Sequence, residues 1–407
     1  MQYAADLHLH SRYSAAVSKD MTVENIALWA RRKGIDVMGT GDCLQAEWLA
    51  ELEAALIPAE PGWFSLRDEI DRPIVAALPG HLQKALRFVL STEVSCAPPP
   101  GGALRGIHHL IYFPSFAKAG SFRRKLEVYG DLCEGRPEVR LTSCQLLELV
   151  CEHGEDCHMA PAHVMNPYFS SLGTREGHTN LQELFGDLQP HLLAVETGLT
   201  SIPPMCRRMS SLDGHALFSC SDAHSLDNLG RECTLLETEP GYDEMFAALR
   251  EGGRERLRGL IKFPLGLTRY FLNYCSRCKE PFEGTLCPMC KGALVMGSRD
   301  RLEKIADQEE DSSLRVFFRT LLPLKILLGR INGQSPKSQR VTVAYDDLIR
   351  RVGNERHILT RAGREEFPDA SARVVEAIFD QREVGCRSAE ISQLASPRIS
   401  EQMSLLN

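Results

Sequence analysis

The fold is decided by the stretch AADLHLHS at residues 4–11, near the start of the chain. A short apolar run leads here into two histidines, His8 and His10, two residues apart. Because successive side chains of a β-strand alternate between its faces, both rings point the same way. Two imidazoles on one face form a corner for a divalent metal. The alternative interpretation is that the two histidines cap a strand and face solvent. Further possible ligands at the ends of other predicted strands favour the metal site.

A helix and a second strand follow this stretch. Thr22 is a candidate N-cap, and Lys33-Gly34 has the pattern of a helix end. A strand over residues 35–39 then closes on Asp42. A strand–helix–strand unit of about 35 residues predicts two parallel strands.

Most of the later predicted strands also end in His, Asp or Glu. They cover residues 87–94, 106–113, 159–163, 192–198, 216–224 and 233–238. Strands that alternate with helical stretches and end in polar side chains are typical of a parallel (β/α) barrel, whose site lies at the carboxyl ends of its strands. A doubly wound sheet is the alternative fold. It would gather ligands at one switch point and usually carry a glycine-rich phosphate loop, and the sequence has neither GxGxxG nor a Walker motif.

Composition indicates a soluble globular chain. Its 407 residues suggest two or three domains, with 43% hydrophobic and 25% charged residues. With no apolar run of membrane-spanning length and no signal-peptide pattern, we expect a cytoplasmic protein. The net charge of −7 argues against a wholly basic nucleic-acid binder, but residues 315–351 carry eight Lys or Arg and two Asp or Glu. Such a basic segment can hold phosphates, although a solvated helical face explains it equally well.

The strand ends supply a set of candidate metal ligands that mixes imidazoles with carboxylates. Such a mixture suits zinc, manganese or iron. Several ions close together suit phosphoester hydrolysis, because one activates a water while the others neutralise the phosphate. Carboxylates can bridge two ions, which makes Glu93 and Asp222 the best bridging candidates. The full set is His8, His10, Asp42, Glu93, His108 or His109, His163, Asp222 and His224.

These residues resemble the polymerase and histidinol phosphatase (PHP) superfamily and, within it, the endonuclease Q family. The resemblance rests on HLH at 8–10, on Asp42, Glu93 and the later histidines, and on DAH at 222–224. Flanking segments extend it from residue 1 to about residue 240, and the cysteine module that follows lies where the family has one. It implies a distorted (β/α) PHP barrel and a DNA repair endonuclease. Such an enzyme cuts 5′ to uracil, hypoxanthine, xanthine or an abasic site.

The resemblance also implies roles for single residues. His8, His10, Glu93 and Asp222 would hold the first metal and form the catalytic set. Glu93, His163 and one of His108 and His109, with His109 favoured, would hold the second. Asp42 and His224 would hold a third. The expected cofactors are therefore two or three divalent ions, Zn, Mn or Mg.

Two positions depart from the family pattern. Gln45-Ala46 stands where the family usually has His-Pro, and Ile202 stands where an acidic residue is expected. The first departure predicts weak or no binding of the third metal. The two departures together predict an activity that is narrowed or lost.

The strongest local motif is Cys275-x2-Cys278-x8-Cys287-x2-Cys290. Two adjacent CxxC units predict a closed four-thiolate structural zinc site. A pair of redox dithiols is the alternative, but no thioredoxin-like pattern surrounds them. A zinc ribbon is compatible with nucleic-acid binding without requiring it.

The sequence predicts four regions. A PHP phosphoesterase barrel spans residues 1–260, a zinc ribbon residues 270–296, and a helical, partly basic DNA-binding region residues 297–385. Residues 386–407 form a polar tail with no clear pattern, expected to be partly disordered. Candidate phosphate contacts in the third region are Lys337, Arg340, Arg350 and Arg351. The expected partner is DNA with deaminated or abasic nucleotides. The alternatives are a PHP phosphatase of a small phosphate monoester and a catalytically decayed DNA-binding homologue.

Overall fold

The computed structural model describes residues 1–97, 106–175, 177–309, 316–368 and 370–387. These residues form a mixed α/β fold. Its strands are β1 (Gln2–Asp6), β2 (Val37–Gly39), β3 (Leu56–Pro58), β4 (Phe64–Leu66), β5 (Arg87–Cys96), β6 (Ile107–Phe113), β7 (Gly130–Asp131), β8 (Glu138–Val139), β9 (His158–Pro161), β10 (Val195–Glu196), β11 (Leu217–Phe218), β12 (Cys233–Glu237), β13 (Leu257–Lys262), β14 (Asn273–Cys275), β15 (Glu280–Phe282) and β16 (Phe318–Thr320).

The helices lie between these strands and, beyond β16, follow one another. They are α1 (Val23–Lys33), α2 (Ala46–Ala55), α3 (Asp68–Ala76), α4 (Phe116–Leu126), α5 (Ser143–His153), α6 (Gln182–Phe185), α7 (Pro203–Cys206), α8 (Tyr242–Glu251), α9 (Ser298–Ile305), α10 (Leu324–Asn332), α11 (Gln339–Arg351), α12 (Glu355–Thr360) and α13 (Ala372–Arg387). No helix among the described residues is both long enough and apolar enough to cross a membrane. Of the predicted tail at residues 386–407, residues 386 and 387 end helix α13, and residues 388–407 lie outside the described residues.

Twelve strands form one sheet around β1, β2 and β5. β1 pairs in parallel with β2, and β2 pairs in parallel with β5, which confirms the predicted strand–helix–strand unit. The sheet is mixed rather than all-parallel, because β12 runs antiparallel to β1 and β6 runs antiparallel to β5 and β9. Only residues 97–106 separate β5 from β6, and a parallel crossover needs a dozen or more residues.

Backbone hydrogen bonds continue from this sheet through the small parallel pair β10–β11. The Val164 N–H donates to the Glu196 carbonyl at 3.0 Å, which joins the end of β9 to β10. Beyond β11, the Asp222 N–H donates to the His8 carbonyl at 2.9 Å. The connections therefore run from β1 through β2, β5, β6, β9, β10 and β11, and return to the residues after β1.

Helix α1 forms as its sequence predicts. The Thr22 side chain accepts from the Asn25 N–H at 3.3 Å, and Gly34 ends the helix in the left-handed region at φ 82°. Its buried face packs into the main core. Its other face contacts the C-terminal helices, where the Lys33 ammonium lies 2.7 Å from the Glu355 carboxylate and both side chains are buried. The C-terminal region is thus docked on α1.

Candidate metal centre

Most of the candidate ligands converge where the central strands end. His8 and His10 follow β1, His163 follows β9 and Asp222 follows β11, while Glu93 lies within β5. His163 and Asp222 have φ values of 32° and 47°, in the left-handed region that non-glycine residues rarely adopt. Backbone strain of this kind is concentrated at functional sites, because the surrounding structure must over-determine it.

Two groups of three ligand atoms form here. In the first, the His8 Nε2 and His10 Nε2 atoms lie 3.6 and 3.3 Å from Asp222 Oδ1. In the second, the His108 Nδ1 and His163 Nε2 atoms each lie 3.0 Å from Glu93 Oε1. Within each group all ligand atoms lie within 4.8 Å of one another.

Glu93 lies between the two groups. Its Oε1 is 3.5 Å from His8 Nε2, and its Oε2 is 3.4 Å from His10 Nε2. One carboxylate therefore faces both sets of imidazoles, as a ligand shared by two cations would.

The histidine nitrogens that face this centre satisfy a test for a metal. His8 Nε2, His10 Nε2 and His108 Nδ1 are buried and, although each lies within 3.6 Å of a carboxylate oxygen, none makes a hydrogen bond of acceptable geometry among the described residues. Leaving a buried polar atom unpaired costs about 1–3 kcal/mol, so three that share a centre call for a common partner. Imidazoles with carboxylates are the donors that zinc and manganese take, and the residues present fit such ions.

Two carboxylates hold the first two histidines from behind. His8 Nδ1–H donates to Glu196, and His10 Nδ1–H donates to Asp42 at 3.1 Å. Each bond fixes the tautomer that leaves Nε2 free to bind a cation, the usual support for a ligating histidine. The role of Glu196 was missed in the sequence, although its place at the end of a predicted strand was a usable signal.

Asp42 was expected to be a ligand of a third metal, but the structure places it in neither ligand group. Besides the His10 ring, its carboxylate accepts from the Ser11 N–H at 2.6 Å, the Ser11 hydroxyl at 2.7 Å and the Ser14 hydroxyl at 2.9 Å. Four donors occupy its two oxygens. Asp42 therefore orients His10, and its role as a ligand of a third metal stays a prediction.

His224 also joins neither group. Its Nδ1–H donates to the Asp222 carbonyl oxygen at 3.0 Å, and its ring centroid lies 4.7 Å from that of His10. Gln45 caps α2 instead, since its side-chain oxygen accepts from the Trp48 N–H at 2.6 Å. Ile202 is buried at the start of α7. Within the described chain, these positions form no third cluster of three ligands.

Of the two adjacent histidines of β6, His108 is the one that faces Glu93. The preference for His109 is wrong, because strand alternation places its ring on the opposite face. There, His109 Nε2 lies 2.8 Å from the Ser143 hydroxyl, and its ring packs edge-on against Phe185. Burial lowers the pKa of His109 to about 3.

Carboxylates dominate the electrostatics of the centre. Burial opposes protonation of His8, but Glu196, Asp222 and Glu93 raise its pKa to about 9. Burial likewise opposes protonation of His10, yet its acidic neighbours raise its pKa to about 10. Burial would raise the pKa of Glu93, but the nearby His108 and His8 rings hold it well below its ordinary value. The field that retains these protons equally attracts a divalent cation.

One cation, Arg136, reaches the centre from the loop between β7 and β8. Its guanidinium donates to Glu93 Oε2 at 3.2 Å, and 31% of its side chain remains exposed. The preceding Gly135 allows this approach, because a Cβ there would lie 2.4 Å from Asp42 Oδ2. Nothing in the sequence pointed to Arg136.

A buried lysine ties together the strand ends behind the centre. Lys262 in β13 donates to the Thr197 hydroxyl at 2.9 Å, the Gly198 carbonyl at 2.7 Å and the Ser219 hydroxyl at 3.0 Å. It also forms an ion pair with Glu232. Both charged side chains are fully buried, so the pair and its hydrogen bonds form one satisfied polar network.

The four cysteines of the predicted ribbon form one cluster, as expected. Their sulfur atoms lie within 4.8 Å of one another, beside the hairpin β14–β15. The Cys278 and Cys290 N–H groups donate to the Cys275 and Cys287 sulfurs at 3.3 and 3.5 Å. Four such thiolates fit a tetrahedral structural zinc.

The predicted basic contacts divide into two pairs. Lys337 and Arg340 are exposed just before and within α11. Arg350 and Arg351 instead bind the Asp347 carboxylate on the same helix, at 2.5 and 2.8 Å. Their charge is partly neutralised, which lowers their value as phosphate contacts.

Comparison with known proteins adds relatives in sequence and in structure. No protein-family model matches the chain. An uncharacterized protein of Bacillus subtilis, YqxK, is 26% identical over 398 residues, which cover 92% of this chain and 94% of that protein. An uncharacterized protein of Methanocaldococcus jannaschii, MJ0043, is 32% identical over 164 residues, which cover 40% of this chain and 16% of that protein.

Two solved structures resemble the chain over nearly its whole length. One is the lesion-specific endonuclease PfuEndoQ from Pyrococcus furiosus, with a TM-score of 0.80, 28% identity, and 94% of this chain and 91% of that chain covered. The other is endonuclease Q with a 27-mer duplex that carries an abasic lesion at the active site, with a TM-score of 0.81, 28% identity, and 94% and 92% covered. In sequence and in fold, the chain is endonuclease Q-like.

Proposed function

We propose that this protein is a divalent-metal-dependent DNA repair endonuclease, which hydrolyses the phosphodiester 5′ to a damaged nucleotide. One observation carries the proposal. Two groups of ligand atoms lie side by side, Glu93 of one group faces the histidines of the other, and buried histidine nitrogens without a hydrogen bond point at the centre, in a chain that matches endonuclease Q over 94% of its length. A small-molecule phosphatase would require neither the ribbon nor the basic C-terminal segment.

The proposed substrates are DNA duplexes with uracil, hypoxanthine, xanthine or an abasic site. Support comes from the solved relative that holds an abasic duplex. An enzyme that reads a small change at a base edge must bring that base out of the stack into a pocket. We therefore propose that the damaged nucleotide is extruded next to the centre.

Each residue of the centre has a proposed part in the reaction. His8, His10 and Asp222 would hold one divalent ion, while His108 and His163 would hold another, with Glu93 shared between them. Bound ions would supply a nucleophilic hydroxide at neutral pH and neutralise the phosphate and the leaving oxygen. Glu196 and Asp42 keep the ligating tautomers of His8 and His10. Arg136 presents a cation where negative charge develops on the phosphate.

We further propose that the strands linked in a ring from β1 to β11 form the distorted (β/α) barrel, within residues 1–260. Its support is the continuous run of backbone hydrogen bonds that returns from Asp222 to His8. Residues 270–296 would be the zinc ribbon, and residues 297–385 the helical region that takes part in DNA binding.

A nicking assay tests the function. End-labelled duplexes with one hypoxanthine, one uracil or one abasic site, and an undamaged control, are incubated with the protein and Mn²⁺, Mg²⁺ or Zn²⁺. A cut immediately 5′ to the lesion is expected, and Asp222→Asn should abolish it. Hydrolysis of a simple phosphate monoester without nicking would favour a phosphatase. Binding of DNA with neither activity would favour a decayed homologue.

A further inference from the structure

A row of aromatic side chains leads from the candidate metal centre to the ribbon. We call Phe169, Tyr168, Tyr270 and Tyr274 the aromatic row. Consecutive ring centroids are 6.3, 5.3 and 5.2 Å apart, and Tyr274 immediately precedes the ribbon residue Cys275. The row therefore connects the two metal-binding parts of the chain by direct contact.

The row begins on a residue of the centre itself. The Phe169 ring is stacked on His108, with centroids 4.8 Å apart and planes 10° from parallel. Phe169 has φ 62°, a left-handed conformation that a bulky residue adopts only under constraint. The His108 N–H donates to the Phe169 carbonyl at 2.9 Å and supplies part of that constraint.

Two exposed arginines are seated on the row. The Arg175 guanidinium lies 5.2 Å from the centroid of Tyr168, and that of Arg269 lies 5.9 and 5.5 Å from the centroids of Tyr270 and Tyr274. Neither arginine has a carboxylate partner among the described residues. Contact with an aromatic face limits the freedom of a guanidinium while leaving its N–H groups available to an anion.

The segments that carry the row are tied to each other. The Thr174 hydroxyl donates to the Met296 carbonyl at 3.1 Å, and the Arg301 guanidinium donates to the Leu172 carbonyl at 3.1 Å. The loop after β9 is thereby fixed to the chain that leaves the ribbon. These bonds keep the segment that carries Arg175 next to the chain that leaves the ribbon.

We propose that Arg175 and Arg269, seated on the aromatic row, bind backbone phosphates of the DNA strand that runs between the cut site and the ribbon. The inference rests on the proposed function and adds to it the path of the substrate. Within the described residues these two cations have no carboxylate partner, and they lie along a row that starts at the metal centre, where they can pair with phosphates of a DNA backbone.

Salt-dependent binding tests the path. A fluorescent duplex with one abasic-site analogue is titrated with wild-type protein, Arg175→Gln, Arg269→Gln and the double variant, over a series of KCl concentrations. Each phosphate contact contributes about 0.9 to the slope of log K against log salt, so the double variant should lose about 2. Each single variant should bind roughly threefold to tenfold more weakly.

Matched controls separate this effect from a loss of structure or of net charge. Arg72→Gln removes the same charge from an exposed residue of α3 that pairs with Asp68, and it should leave the slope unchanged. Arg175→Lys and Arg269→Lys should largely restore the slope. Hydrolysis of bis(p-nitrophenyl) phosphate, which needs the centre but not the path, should stay at the wild-type rate in all variants.

The outcomes are distinguishable from a failure of the proposed function. Suppose that the wild type nicks at the lesion and the arginine variants keep the wild-type salt slope. This result would overturn the proposed phosphate contacts and leave the proposed function standing. Tighter binding of an RNA duplex than of DNA, lost in the same variants, would assign the path to a different polymer and overturn the proposal for DNA. Absence of any nucleic-acid binding by the wild type would overturn both proposals.

Discussion

Glu196 holds His8 with both of its oxygens, which lie 3.0 and 3.1 Å from His8 Nδ1. Glu196 Oε2 also accepts from the His163 N–H at 2.7 Å. A single buried carboxylate thus positions one histidine from each ligand group. Replacing this carboxylate with a side chain of the same size but different chemistry should therefore weaken cation binding.

Glu196→Gln should weaken binding of divalent cations at the centre by about 10–100-fold. The amide would turn its NH2 group toward His8 and force the proton to Nε2, where a cation would otherwise bind. Isothermal titration with Mn²⁺ measures the affinity, and the zinc content of the ribbon is the internal control. Asp42→Asn, behind His10, should have a comparable effect. Unchanged Mn²⁺ affinity in both variants would contradict the roles given to these carboxylates.

Arg136→Gln should lower the rate of lesion-directed cleavage by roughly 10²-fold, in the range found for loss of one group that stabilises transition-state charge. Its cation lies beside Glu93 and its side chain is partly exposed, so it can meet a phosphate that approaches the centre. Arg136→Lys should recover part of the rate. Mn²⁺ content should not change, because the carboxylate ligands remain. Lost metal together with lost rate would show instead that Arg136 mainly holds Glu93 in place.

Cys287→Ser should release the ribbon zinc, because this buried cysteine is one of the four clustered thiols. We expect zinc content to fall by one ion per chain and duplex affinity to fall, while the rate on bis(p-nitrophenyl) phosphate stays near the wild-type value. Metal analysis and the two assays check this. Cys96→Ser, at a buried cysteine outside the cluster, is the control and should retain the zinc.

Glu355→Gln should lower the free energy of unfolding by about 3 kcal/mol, because it leaves the buried Lys33 ammonium without a counter-ion. The amide oxygen can still accept from the Leu324 N–H, and the NH2 group in the place of Oε2 can donate to the Tyr345 hydroxyl oxygen, so the main loss is the charge. Urea denaturation measures it. The double variant Lys33→Met/Glu355→Gln should lose less than the sum of the single variants, and additive losses would contradict a coupled pair.

His158 should make the fold sensitive to acid. Burial and the neighbouring Arg250 lower its pKa to about 4, against an ordinary value of 6.5. The unfolded chain binds this proton between those values and the folded chain does not, so stability is full above about pH 6.5 and falls as pH decreases toward 4. Relative to His158→Gln, the wild type should lose about 2 kcal/mol between about pH 7 and pH 5. Parallel pH profiles of the two proteins would contradict this assignment.

Much of the centre could be predicted because strand alternation and strand ends are local properties of the sequence. His8 and His10 could be predicted from their spacing of two residues, and Asp222 from its position after an apolar run. The four cysteines likewise come from one short segment, and they lie together as expected.

What the sequence could not decide depends on long-range pairing. The choice between His108 and His109 needs the register of β6 against β5, since a shift of one residue exchanges the two faces. Arg136 comes from a loop whose approach depends on a glycine beside Asp42. Asp42 was predicted as a ligand because it follows β2 in the way that other candidate ligands follow their strands. The four groups that donate hydrogen bonds to its carboxylate belong to residues after β1, which the sequence around Asp42 does not show.

Lys262 binds the residues that follow β10 and β11, beside Glu196 and Asp222. The distance between the ends of β10 and β11 is therefore set when the chain folds. Cation binding does not have to supply free energy to bring these two strand ends together. An ion would enter a frame that is already at its final dimensions. The protein can thus fold first and bind its metal ions afterwards.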